Sequence, residues 1–65
     1  MPHVTVEWLT RSIDERRAVI EGITDVLVER GNARREMVNV TFIETTKEIW
    51  GRGGKLGIDR DDVHP

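Results

Sequence analysis

The chain has 65 residues, with ten Lys and Arg against twelve Asp and Glu, two His and no Cys. A formal charge of −2 without a basic stripe excludes a nucleic-acid surface, and the missing cysteines exclude disulfides and thiolate metal centres. No apolar run reaches the length of a membrane span and the first residues do not read as a signal peptide, so the cytoplasm is the expected compartment.

So short a chain buries only about 60% of its unfolded surface. Self-association is the remedy that composition leaves open. In chain order, Pro2 comes first. Behind an initiator methionine it is a residue that aminopeptidase can uncover, and once Met1 is removed its nitrogen becomes a free secondary amine on a rigid ring. Desolvation and nearby cations would both disfavour the protonated form of that amine. A terminal amine, ordinarily titrating at roughly 7.7–8.0, then serves as a general base near neutral pH.

His3 to Leu9 alternates, with Val4, Val6 and Trp8 on one face and Thr5 and Glu7 on the other, which predicts a strand. Arg11 follows. Ser12-Ile13-Asp14-Glu15 is a capping box that opens a helix, with Asp14 and Glu15 favourably placed for its dipole. Ile13, Ile20, Ile23, Val26 and Leu27 recur at helical spacing, so the amphipathic helix is expected over 13–30 and Gly31 is expected to stop it. Gly22, costly inside a helix, suggests a close backbone contact.

A charged connection over 32–37 leads to a second alternating run, Val38 to Glu44, with Val38, Val40 and Phe42 on one face and Asn39, Thr41 and Ile43 on the other. Ile49-Trp50-Gly51-Arg52-Gly53-Gly54-Lys55-Leu56-Gly57 reads as a tight turn or short hairpin. Residues 1–57 therefore form the domain, and 58–65 an acidic tail expected to be mobile.

Strand, helix and strand with this crossover length make a βαβ unit with parallel strands, of α/β (α+β) class. One helix covers one sheet face, so Thr41 and Ile43 on the other face need a neighbour. The free edge of the first strand needs one too. The first strand spans seven residues at roughly 3.3 Å each, which puts Pro2 and Arg11 of one chain roughly 20 Å apart. Trp50 leaves the sheet from Arg11's end. Antiparallel pairing of two first strands would bring Pro2 of one copy beside Arg11 and Trp50 of another.

Pro2 at the mature terminus, Arg11-Ser12 opening the helix, and Trp50-Gly51-Arg52-Gly53-Gly54-Lys55-Leu56 closing the chain resemble the tautomerase superfamily. Within it, the chain is similar to the short 4-oxalocrotonate tautomerase (2-hydroxymuconate tautomerase) subunits. The resemblance covers residues 2 to about 57. It implies a tautomerase/MIF-like fold with a C-terminal hairpin, oligomerising through its sheet, usually as a homohexamer built as a trimer of dimers. It further implies a cofactor-free isomerase in which Pro2 shuttles a proton between oxygen and carbon of a 2-oxo or 2-hydroxydienoic acid. Arg11 takes the place of the arginine that binds the substrate carboxylate, and Trp50 that of the aromatic wall.

Asn39 stands where these relatives carry a second site arginine. An amide donates a neutral hydrogen bond but cannot grip a carboxylate bidentately. Arg52, in the glycine turn, is the residue expected to stand in for it. The expected substrate-binding set is thus Arg11, Asn39, Trp50 and Arg52. Two other readings start from the same residues. One is water addition of the dehalogenase or decarboxylase kind, for which Glu7 and Glu48 are the nearest candidate carboxylates. The other is an oligomeric binding module without catalysis.

Overall fold

The structure is a computed structural model that describes residues 2–63. Strand β1 (His3–Leu9) is followed by helix α1 (Ile13–Glu29), a 3₁₀ turn (Arg35–Met37) and strand β2 (Asn39–Thr45). A two-residue hairpin, β3 (Gly51–Arg52) and β4 (Lys55–Leu56), leads into a final 3₁₀ turn (Gly57–Asp59). β1 and β2 are parallel, with His3 opposite Asn39 and Leu9 opposite Thr45. The expected βαβ unit with a C-terminal hairpin is the observed one.

Local chemistry explains the boundaries. The Ser12 hydroxyl accepts the Glu15 N–H at 3.1 Å and the Glu15 carboxylate accepts the Ser12 N–H at 3.0 Å, so the capping box is closed on both sides. The helix ends one residue before the expected limit. Its left-handed residue is Asn32 (φ 56°), not Gly31. Gly31 is needed for space instead, because a Cβ there would lie 2.8 Å from the Leu27 carbonyl oxygen. β2 begins at Asn39, one residue later than the alternation suggested, because the Val38 N–H closes the preceding 3₁₀ turn on Arg35. Gly53 and Gly54 both have positive φ (62° and 81°), which a two-residue hairpin turn requires.

The alternation along both strands is reproduced in their burial. Val4, Val6, Trp8, Val40, Phe42 and Glu44 are half-buried, while Thr5, Glu7, Thr41 and Ile43 are exposed. Among the described residues the fully covered interior is small, with Thr24 and Val63 its buried side chains. Ile43 remains 49% exposed and Val26 58%. The radius of gyration is 14.8 Å, against about 11 Å for a compact globule of this length. A single subunit is therefore an open, thin body. Beyond its own helical turn and chain neighbours, Gly22 has no atom within 4 Å of the Cβ position, so the expected close contact is not made inside the subunit.

Candidate active site

The parallel sheet divides the expected site residues between its two ends. Pro2 precedes β1 and is half-buried, and its carbonyl accepts the Asn39 backbone N–H at 3.1 Å. The Asn39 side chain is exposed beside it and donates to the Met37 carbonyl at 3.1 Å. Pro2 and Asn39 thus share one end.

Arg11, Trp50 and Arg52 occupy the other. The Arg11 guanidinium lies 5.2 Å from the Trp8 ring centroid, and its Nη1 donates to the carbonyls of Leu9 (3.0 Å) and Thr10 (3.3 Å). Trp8 in turn stacks on Phe42, centroids 4.9 Å apart and 9° from coplanar. The Arg52 guanidinium lies 4.9 Å from the Trp50 ring centroid. Both cations therefore rest on indole faces, where ring quadrupole and charge attract.

A cleft of about 460 Å³ opens here, walled by Trp8, Leu9, Thr45, Trp50, Arg52 and Val63, with Glu7 and Asp62 also on its lining. Asp62 does not neutralise Arg52. Arg60 holds both Asp62 oxygens, at 2.8 and 2.7 Å, while its Nη1 donates to the Arg52 carbonyl at 2.9 Å. These bonds hold the Asp62 carboxyl below the usual carboxylate range, and the Arg52 charge adds a smaller push the same way. Arg52 itself is on the cleft lining, its guanidinium over the Trp50 ring. Glu48, one of the carboxylates considered for water activation, is not on the cleft lining but lines an adjoining shallow depression that shares Leu9 and Thr45 with it.

Glu44 is a residue that sequence reasoning missed. It stands on the core face of β2, in line with Val40 and Phe42. Arg16 binds it through Nε (2.7 Å) and Nη2 (2.6 Å), and the Arg11 backbone N–H donates to the same carboxylate at 3.3 Å. The side chains of Arg16 and Glu44 are 35% and 20% exposed. The Arg16 bonds hold the Glu44 carboxyl below the usual range against the opposing effect of burial. The buried Trp8 Nε1 meets no acceptor in hydrogen-bond geometry, although it lies near enough to the carboxylate to favour its charged form slightly. The available signal was a carboxylate in the apolar register of an alternating strand, which demands a cationic partner.

The sign of this perturbation fixes a pH dependence. A carboxyl with a depressed folded-state pKa contributes stability that is present above its unfolded value of roughly 4.3. That stability is lost as pH falls through the folded value. Glu44→Gln is therefore expected to lower the urea midpoint at pH 7 and to flatten its decline between pH 5 and 3. A wild-type-like decline in the variant would place the acid sensitivity elsewhere.

Fold and site together define a small α/β subunit with a strand-leading proline and, at the far end of the same strand, an aromatic cleft with Arg52 on its lining and Arg11 close by on the Trp8 face. A family model described as "Tautomerase enzyme" matches residues 2–60. A probable tautomerase of Halalkalibacterium halodurans is 38% identical over 56 residues, covering 85% of this chain and 92% of that protein. A probable tautomerase of Listeria innocua is 36% identical over 55 residues, covering 83% and 90%. Among solved structures, YwhB, a homologue of 4-oxalocrotonate tautomerase, superposes with a TM-score of 0.84 at 30% identity, covering 92% of this chain and 100% of that one. TomN, a 4-oxalocrotonate tautomerase homologue in the tomaymycin biosynthetic pathway, gives 0.85 at 33% identity, covering 91% and 92%. The chain belongs to the tautomerase family, which is an isomerase class.

Proposed function

We propose that this enzyme is a cofactor-independent tautomerase that moves a proton within a 2-oxo or 2-hydroxydienoic acid, with Pro2 as general base once Met1 has been removed. The observation that carries the reading is the position of Pro2 at the head of β1 in a tautomerase fold. The ring nitrogen takes the hydroxyl proton of the enol, the electron pair closes the C2 carbonyl, and the same proton returns to carbon. Nothing is gained or lost overall, so a positioned base and a way to hold the substrate suffice.

Arg11 pairs with the substrate carboxylate and draws electron density toward it. Trp50 walls the cleft against water, which keeps the nearby amine neutral. Arg52 takes over from the arginine that Asn39 replaces, and Asn39 offers a neutral donor beside Pro2. Since Pro2 and Arg11 stand at opposite ends of β1, the pocket requires a second copy, whose Pro2 enters the Arg11 and Trp50 end of the first. Self-association through the β1 edge, followed by stacking of the bare sheet faces into a homohexamer (a trimer of dimers), satisfies this requirement. It also accounts for the exposed Ile43. A cytoplasmic location completes the proposal.

The test is turnover of phenylpyruvate and of 2-hydroxydienoic acids by protein whose amino terminus is verified by mass spectrometry as Pro2. Ketonisation followed by ultraviolet absorbance, with activity falling on the acidic side of the pH–rate profile as the Pro2 amine is protonated, is the expected result. Halide release from a haloacrylate without any ketonisation would instead favour water addition, for which Glu7 on the cleft lining is the available carboxylate. Verified protein inactive toward every 2-oxo and enol acid would overturn the proposal.

A further inference from the structure

Glu44 does more than neutralise Arg16. Its carboxylate accepts the backbone N–H of Arg11 at 3.3 Å while both its oxygens are held from α1 by Arg16, at 2.6 and 2.7 Å. The residue after Arg11 is fixed as well, because Ser12 is locked in the capping box. The main chain carrying the Arg11 guanidinium is thus pinned from both sides. Beneath that guanidinium lies Trp8, which is the direct partner of Glu44 across the sheet. One carboxylate therefore adjoins both the anchor of the Arg11 backbone and the platform under its side chain.

From this geometry we infer that Glu44, clamped by Arg16, is a positioning residue that sets where the Arg11 guanidinium meets a substrate carboxylate. A salt bridge serving stability alone could join α1 to the sheet anywhere along its length. This one closes on the amide of Arg11 itself. Without the clamp, the Arg11 backbone loses its tie to β2, leaving Ser12 and the side chain's own bonds to the Leu9 and Thr10 carbonyls, and the guanidinium shifts with its backbone. Misplacement of a binding group by about 1 Å costs up to about 10²-fold. The inference rests on the role given to Arg11 above and adds Glu44 and Arg16 behind it.

Steady-state kinetics on phenylpyruvate and on its methyl ester test the idea. The variants are Glu44→Gln, Arg16→Gln, which spares the sheet, and Arg16→Lys. Loss of the clamp is expected to raise KM for the acid about ten- to a hundredfold, with kcat changed little and the ester unaffected. Arg16→Lys restores most of the loss. In an Arg11→Met background, Glu44→Gln has no further effect. Equal losses on acid and ester, or a full additional loss in that background, would overturn the inference.

The ¹⁵N signal of Arg11 Nε reads the clamp without turnover and is expected to shift in both clamp-breaking variants. A wild type inactive on both compounds whose Arg11 signal still responds to Glu44→Gln would sink the tautomerase reading and leave the clamp standing. An active wild type with an unresponsive signal would do the reverse.

Discussion

Pro2→Ala, made in protein whose Met1 has been removed, is expected to lower kcat/KM on a 2-oxo acid by about 10²–10⁴-fold, the usual contribution of a positioned general base. Alanine leaves a terminal amine in the chain, so the change is not a deletion of nitrogen. It exchanges a ring-fixed secondary amine, whose lone pair has a set direction at the head of β1, for a freely turning primary one. The Pro2 carbonyl bond to Asn39 is available to alanine as well, and the strand should form unchanged. Far-ultraviolet circular dichroism and sedimentation check that it does. Turnover equal to wild type in the folded Pro2→Ala variant would remove the imino nitrogen from the mechanism.

Ile43→Glu is expected to have an effect of similar size through assembly. Ile43 is 49% exposed in the subunit and lies on the sheet face opposite Phe42 and Glu44. If copies stack on that face, a carboxylate placed there is buried without a partner, at a cost on the order of several kcal/mol. Analytical ultracentrifugation should find smaller species, and activity should fall with them, since no single subunit joins Pro2 to Arg11. Ile43→Val, which keeps the face apolar, should retain both. An active monomer would refute a pocket shared between copies.

Much of this was legible before any coordinates. The alternation of His3 to Leu9 gave β1 to the residue, because a half-buried strand imposes its period on its side chains. The Ser12–Glu15 box placed the start of α1 for an equally local reason. The helix end was less legible, since Gly31 and Asn32 both suit a stop and only the approach to the Leu27 carbonyl assigns their parts. The separation of Pro2 from Arg11 followed from strand length and direction alone.

What could not be read was the pairing of Arg16 with Glu44, because they are 28 positions apart in the chain and their meeting depends on how α1 lies across β2. The same holds for Val63. It sits in a run of charges that reads as a solvated tail, yet it is buried on the cleft wall beside Trp8 and Trp50. Arg60, gripping Asp62 and the carbonyl of Arg52, turns that run back toward the hairpin.

The hydrogen bond from Asn39 to the Pro2 carbonyl has one more consequence. Proline brings no N–H to a sheet, so the ladder draws on the oxygen of this residue and never on its nitrogen. Trimming the initiator methionine therefore leaves the Pro2 carbonyl bond to Asn39 in place. Untrimmed and trimmed molecules should melt alike and differ only in reactivity, which would make an aminopeptidase the switch that arms a ready-built enzyme.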